Sequence, residues 1–215
     1  MATFLRSAFL IGFAGILAAQ EPAKPASDAP SEKTIMRMAK DIQRGILTSS
    51  NYGVFDWITF GINGYNVVLK GKASRPTLKD SAERIAKQVE GVAAVDNRIE
   101  VLPLSPMDDR IRAQAYARIY GSPSLSRYNP NRGTPVFLSP ARIAGGITND
   151  PPIGFHPIHI IVQNGSITLQ GVVDTSGDKA IAGMMANQVP GSFAVENELV
   201  VANADQQKDA KTKKK

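Results

Sequence analysis

The chain contains an internal repeat, in which Val67–Val101 aligns with Ile167–Val201 at a constant offset of one hundred residues and without a gap. Twelve of the thirty-five aligned positions carry the same residue type. Such a repeat constrains the architecture more than any other feature, because it implies that one small module was duplicated. The function is therefore expected to depend on the properties of this module and on the differences between its two copies. The identical pairs are Leu69/Leu169, Gly71/Gly171, Lys79/Lys179, Ala82/Ala182, Ala86/Ala186, Gln88/Gln188, Val89/Val189, Gly91/Gly191, Ala94/Ala194, Val95/Val195, Asn97/Asn197 and Val101/Val201.

Hydrophobic periodicity predicts the order of elements within the module. In the first copy, Ser31 is expected to cap a helix whose apolar residues recur at helical spacing up to Ile46. Asn63-Gly64 is a strong hairpin-turn signal between two strands, because both residues tolerate positive φ. Pro76–Glu90 then has the pattern of a second helix, and Val95–Leu102 that of a last strand.

The second copy has the same order, beginning with a helix at Asp108–Tyr120 and a strand that leads into Asn164-Gly165. The sequence therefore predicts an α+β protein made of two small αββαβ modules. Each module is expected to be a three-stranded sheet with two helices on one face, which buries one layer of core.

The remaining segments differ in composition from the modules. Residues 1–19 combine a basic start with an apolar run of about thirteen residues, which is typical of a signal peptide cleaved after Ala18 or Ala19. Residues 20–30 form a Pro/Ala linker, 31–103 the first module, 107–201 the second, and 202–215 a basic tail expected to be disordered. The stretch 121–157 is a long insertion in the second module, rich in Pro, Gly, Asn and Ser, which is expected to be either functional or disordered.

The charge and the cysteine content of the chain limit which kinds of site and binding partner it can have. The net charge is +6, and there is no cysteine, which excludes disulfides, thiolate metal sites and a cysteine nucleophile. An exported basic protein meets little nucleic acid, so anionic lipid is the more accessible partner.

The strand, helix and strand pattern resembles a known family. The first copy reads Val67-Val68-Leu69-Lys70-Gly71 and then Val89–Asn97, and the second reads Ile167–Gly171 and then Val189–Asn197. This pattern is similar to the BON domain of bacterial envelope proteins, here in tandem. The resemblance implies the αββαβ fold, a periplasmic location, association with phospholipid, protection of the envelope under stress, and no catalysis.

The residues offer little support for a catalytic or metal site. His156 and His159 flank Pro157 at the start of a strand, where they are expected to point to different faces. No cysteine or carboxylate cluster completes a zinc site, and no Gly-x-Ser-x-Gly motif is present. We therefore expect a protein that is not an enzyme and that has no cofactor or metal.

The first helix of the second module is the predicted contact surface. Arginine and tyrosine together suit a lipid headgroup interface, although three arginines around a helix also occur on ordinary solvated faces. In the second module's other helix, Ile181, Gly183, Met184 and Asn187 replace Ser81, Glu83, Arg84 and Lys87, so a charged face has become apolar. That face is expected to pack on the other module or to contact a membrane or protein. The predicted lipid- or partner-binding residues are Arg110, Arg112, Tyr116, Arg118, Tyr120, Lys179, Ile181 and Met184.

These expectations give two functional hypotheses. The first is a non-enzymatic periplasmic protein that binds anionic phospholipid peripherally and maintains the envelope. The alternative is a protein–protein adaptor that docks an envelope complex through the insertion and the apolar helix of the second module. A binder of an acidic glycan or peptidoglycan is a third, weaker hypothesis, because aromatic platforms are few.

Overall fold

The computed structural model of the chain describes residues 29–130 and 145–202. The elements follow the predicted order in both modules. The first comprises α1 (Glu32–Leu47), β1 (Trp57–Asn63), β2 (Asn66–Ala73), α2 (Pro76–Gln88) and β3 (Ala94–Val101). The second comprises α3 (Pro106–Tyr120), a 3-10 helix (Pro123–Tyr128), β4 (Ile158–Gln163), β5 (Ser166–Val173), α4 (Ser176–Asn187), β6 (Ala194–Asn197) and β7 (Val200–Val201).

Both sheets have the same topology, with the middle strand between an antiparallel and a parallel neighbour. In the first module β2 pairs with β1 in an antiparallel hairpin and with β3 in parallel. In the second module β5 pairs in the same way with β4 and β6, and β7 continues the parallel ladder. The helices α1 and α2 pack on one sheet, and α3 and α4 on the other. The predicted α+β architecture of two small modules is therefore confirmed.

Local signals start and end the elements where the sequence indicated. The Ser31 hydroxyl accepts a hydrogen bond from the backbone N–H of Thr34 at 3.2 Å, as expected of an N-cap. In the second module Thr175 and Asp178 form a reciprocal capping box at the start of α4. Asn164 and Gly165 both adopt positive φ at the β4–β5 turn.

The two modules share a hydrophobic core in one place. Val54 and Phe55 precede β1 in the chain, but both are buried in the core of the second module. The Phe55 and Tyr116 rings meet edge to face with centroids 6.4 Å apart. The neighbouring Asp56 is buried and accepts hydrogen bonds from the backbone N–H groups of Gly53 and Ser74 at 2.9 and 2.6 Å, which holds this segment in place. We call residues 53–56 the connecting strap.

The edge strand β4 lies against the connecting strap and the first sheet. The Ile160 N–H donates to the carbonyl oxygen of Val54 at 2.8 Å. The Gln163 side chain accepts from Lys72 at 2.8 Å and donates to Glu100 at 2.7 Å. Because both faces of β4 are covered, its first five residues are buried without alternation. The modules therefore form one continuous interface.

Gly71 illustrates why the repeat keeps a glycine near the end of its middle strand. Its φ is +125°, and a Cβ at this position would lie 2.0 Å from the carbonyl oxygen of Trp57 on β1. Gly171 has the same conformation against the carbonyl oxygen of Pro157. The glycines thus permit a close backbone approach within the hairpin, rather than a turn after the strand.

We expect Gly71→Ala to destabilise the chain by about 2 kcal/mol or more, because the new Cβ must displace backbone and the φ is unfavourable for alanine. Gly61→Ala is the matched control in the same sheet, since a Cβ there would meet open space. Urea unfolding of both variants measures the difference. Equal stability of the two variants would contradict this account of the glycine.

Part of the insertion belongs to the second module's core. Leu125 and Tyr128 of the 3-10 helix and Ile147 are buried with the residues of α3 and the second sheet. The described parts of the insertion therefore contribute side chains to this core. The proposed signal peptide at 1–19, most of the linker at 20–30, the middle of the insertion at 131–144 and nearly all of the basic tail lie outside the described residues.

Candidate functional site

Three of the predicted contact residues on α3 are buried, so the prediction of a surface role is wrong for them. Arg112, Tyr116 and Tyr120 are each exposed by 5% or less. The Arg112 guanidinium pairs with the Asp109 carboxylate and donates to the carbonyl oxygen of Val162, both at 2.6 Å. The Tyr120 hydroxyl donates to the carbonyl oxygen of Ile158 at 2.6 Å.

The physical reason for this burial is that α3 is covered on three sides. Its sheet-facing side packs on β4. The connecting strap covers a second part of the helix, where Phe55 contacts Tyr116. Residues 145–148 cover a third part, where the Thr148 hydroxyl donates to Asp109. An arginine and two tyrosines that helical periodicity places outside the core are therefore enclosed. They hold the second module together.

The other predicted contact residues do not form one surface. Arg110 and Arg118 are exposed on α3, and Met184 is 53% exposed on α4. Lys179 and Ile181 are half-buried, and Ile181 packs against the core of its own module. The apolar face of α4 is largely accounted for by this packing, since the helix lies against α3 and the 3-10 helix.

A basic surface that was not predicted lies on α1, which was expected only to be a core helix. Lys33, Arg37, Lys40 and Arg44 follow one another at spacings of four, three and four residues, which places them within about 60° of helix circumference. All four are exposed, on the side opposite the buried Met38, Ile42 and Ile46. We call these four residues the basic stripe.

The charge of the basic stripe is only partly compensated. Arg37 forms an exposed ion pair with Glu90 at 2.7 Å, which contributes little in water. Among the described residues, no ion pair involves Lys33, Lys40 or Arg44. The acidic residues of α1, Glu32 and Asp41, lie about 110° and about 70° around the helix from the centre of the stripe. The stripe therefore presents concentrated positive charge.

Large apolar side chains are exposed beside the basic stripe. Met36 and Leu47 of α1 are 65% and 41% exposed and project next to it. Leu47 also lines a cleft of about 260 Å³ together with Ile153 and Phe155 of the insertion, which are 85% and 66% exposed. Basic residues next to exposed apolar side chains are typical of a surface that meets the headgroup boundary of a membrane.

The two histidines both line this cleft and contact different neighbours. His159 packs against the rings of Tyr52 and Trp57. Its Nδ1 lies 3.2 Å from the carbonyl oxygen of Gly53. Because a carbonyl oxygen can only accept a hydrogen bond, Nδ1 is the donor in this contact. His156 contacts the Tyr116 hydroxyl through Nε2 at 3.2 Å. Burial lowers the pKa of each imidazole to about 4, so both are neutral near pH 7.

Neither histidine belongs to a metal-binding cluster in the part of the chain that the structure describes. Residues 29–130 and 145–202 contain no group of three or more His, Asp or Glu side chains placed to hold a metal ion. In the same ranges, no helix is both long enough and apolar enough to cross a bilayer.

The basic stripe could be recognised from the sequence, whereas no sequence pattern indicated that the α3 residues are buried. The spacing of Lys33, Arg37, Lys40 and Arg44 is a pattern of basic residues on one helix face that can be read directly from the chain. The enclosure of Arg112 depends on β4, where the carbonyl oxygen of Val162, fifty residues away in sequence, accepts its hydrogen bond.

Comparison with known proteins identifies the family. The sequence model of the BON domain matches residues 61–103 and 141–203. The second stretch covers the hairpin, helix and last strands of its module, and the first covers the end of β1, β2, α2 and β3, in agreement with the repeat. A comparison with curated proteins finds no match.

Two solved structures share weak similarity with the chain. The C-terminal domain of CdsD, a structural protein of the type III secretion system of Chlamydia trachomatis, is 16% identical with a TM-score of 0.24, covering 80% of this chain and 98% of that chain. A second structure of CdsD is 15% identical with a TM-score of 0.23, covering 84% and 97%. Likenesses at this level support no conclusion about function.

Proposed function

We propose that this chain, which belongs to the BON-domain family and carries two copies of the domain, binds peripherally to anionic phospholipid at the surface of a bacterial envelope membrane. The observation that carries the proposal is the basic stripe of α1 with exposed Met36 and Leu47 beside it. The family, a module of envelope and periplasmic proteins, supports the location. The role is structural and protective rather than enzymatic.

The expected affinity follows from the charges and the apolar side chains. Each basic residue held near an anionic surface contributes about 1 kcal/mol. The basic stripe thus accounts for roughly 4 kcal/mol, and the four apolar side chains Met36, Leu47, Ile153 and Phe155 add to it when they enter the headgroup boundary. Such a surface binds reversibly and weakens as ionic strength rises.

The test is co-sedimentation of the chain from Gln20 onward with liposomes that contain phosphatidylglycerol, at low and high salt. We expect pelleting that needs anionic lipid and decreases with salt. The triple variant Lys33→Glu, Lys40→Glu, Arg44→Glu should lose at least about 100-fold in affinity, since three attractive charges become repulsive. These residues are exposed, so circular dichroism should show an unchanged fold.

The matched control tests the surface that the sequence analysis favoured. Arg110→Glu, Arg118→Glu reverses the exposed charges of α3 and should reduce affinity much less than the triple variant. If the α3 variant loses binding while the α1 variant keeps it, the lipid surface lies on the second module. Absence of pelleting on any liposome would overturn the proposal.

A second candidate function is the adaptor role, and the exposed side chains of the insertion favour it. Ile153 and Phe155 are the most exposed large apolar residues beside the cleft and suit contact with an apolar protein surface. Binding of this kind should be insensitive to salt and should be lost in Ile153→Ser, Phe155→Ser. Salt-sensitive binding that survives this double substitution would favour the lipid surface.

A further inference from the structure

The two modules differ on the open faces of their sheets, which none of the described helices covers. In the first module the open face of β2 carries Val68, Lys70 and Lys72. In the second module the equivalent positions of β5 are Thr168, Gln170 and Val172, preceded by Ser166. The open face of β5 thus carries no charge where β2 carries two lysines, although the neighbouring β6 contributes Glu196 to the same sheet face.

The open face of the second sheet forms a groove of about 560 Å³. The register places Ile161, Thr168 and Glu196 in one row across β4, β5 and β6. The first module closes one side of this groove with Trp57 and Lys72. The groove therefore requires both modules. Its lining residues are Trp57, Lys72, Ile161, Gln163, Asn164, Ser166, Thr168, Gln170, Glu196 and Glu198.

Hydrogen bonds between side chains hold several of these groups in position. Gln163 is bonded to both Lys72 and Glu100, at 2.8 and 2.7 Å. Gln170 donates to the carboxylate of Glu198. Trp57 is half-buried, and its ring packs on His159 with centroids 5.0 Å apart. A polar lining with fixed side chains reduces the entropy lost on binding.

The chemistry of the lining indicates the ligand class. Glutamine, asparagine, serine and threonine both donate and accept hydrogen bonds, and carboxylates accept from hydroxyl groups. The indole of Trp57 offers an apolar face for a ring with axial C–H groups. Lys72 is paired with Glu100, and no described ion pair involves Glu196 or Glu198, so the groove disfavours anionic ligands.

We propose that this groove between the two modules binds a neutral saccharide that carries hydroxyl and acetamide groups. The inference is independent of the lipid surface, because the groove lies on the open sheet face and α1 packs on the opposite, covered face of the other sheet. It also revises the third hypothesis from the sequence, since the acidic lining disfavours an acidic glycan and favours an uncharged one.

The test is titration of the chain from Gln20 onward with the tetrasaccharide of N-acetylglucosamine, followed by tryptophan fluorescence and by calorimetry. Trp57 is the chain's one tryptophan, so its emission reports on the groove directly. We expect a saturable change in emission and one molecule bound per chain. An equally long oligogalacturonate, which is anionic, should bind more weakly or not at all.

Two variants locate the binding. Thr168→Lys places a long side chain in the groove, and Gln170→Ala removes an amide, so each should weaken binding by roughly tenfold or more. Lys70→Ala, at the position of the first module equivalent to Gln170, should leave the affinity unchanged. Equal losses in Lys70→Ala and Gln170→Ala, tighter binding of the anionic oligomer, or no heat with the neutral tetrasaccharide at millimolar concentration would each overturn the proposal.

Discussion

Phe55→Ala is expected to lower the free energy of unfolding by about 3–5 kcal/mol, the usual cost of removing a buried phenylalanine ring. Phe55 is 1% exposed and lies in the core of the second module, although its position in the sequence is within the first module. The substitution leaves a cavity beside Tyr116 and weakens the attachment of the connecting strap. A loss of this size is large compared with the total stability of a typical domain.

Urea unfolding measures this loss, and Phe60→Ala is the matched control. Phe60 lies five residues further along, is half-buried, and packs only against the first module's core. Its removal should cost clearly less and should leave the second module's transition unchanged. If Phe55→Ala and Phe60→Ala have the same effect, the connecting strap does not stabilise the second module.

Acidification from pH 6.5 to pH 4 is expected to destabilise the chain through His156 and His159. Burial lowers the pKa of both imidazoles to about 4, below the value of 6.5 for an unfolded histidine. Between these values the unfolded state binds more protons than the folded state, so stability falls as the pH falls. At about 1.4 kcal/mol per unit of pKa difference, each histidine contributes up to about 3 kcal/mol.

The pH dependence of stability that the histidines cause differs from that of the titratable groups beside them. Burial raises the pKa of Asp56, so this carboxyl changes stability in the opposite direction across its own titration. Tyr52 beside His159 remains protonated, because burial raises the pKa of its phenol. The titration of the histidines therefore destabilises the folded chain across this window, and the carboxyl groups of Glu83, Glu100 and Asp178, whose pKa values are lowered by their hydrogen-bond partners, add a loss of the same sign only towards its acid end.

Stability measured by urea unfolding at pH 7, 6, 5 and 4 tests the prediction. The variant His156→Gln, His159→Gln should be less stable at pH 7 but should show a much shallower decrease towards pH 4. A wild-type chain whose stability is unchanged from pH 7 to pH 4 would contradict the burial of the neutral imidazoles. A variant with the same slope as the wild type would assign the effect to other groups.

Much of the fold could be predicted because the module's periodicities are local. Apolar spacing placed α1, α2 and α3, and Asn63-Gly64 and Asn164-Gly165 marked the hairpin turns, since these signals depend on neighbours within a few residues. The repeat then gave two independent observations of one pattern.

The candidate site was harder to predict, because exposure is a property of the packed chain. Arg112 and Tyr120 have the spacing of a solvated helix face, yet both are buried against the strand β4, whose carbonyl groups accept their hydrogen bonds. The basic stripe of α1 could have been found from its spacing alone. Which of the two first helices remained uncovered was decided only by how the modules pack.

The sequence by itself determined the duplication, the αββαβ order and the helix faces that must be buried, because each follows from local periodicity and turn chemistry. Only the tertiary structure decided that Phe55 belongs to the other module's core, that α3 is enclosed, and that Trp57 and β5 border one groove. These features join residues far apart in the chain. Burial and hydrogen bonding between such residues depend on how the two modules dock, which local sequence patterns do not specify.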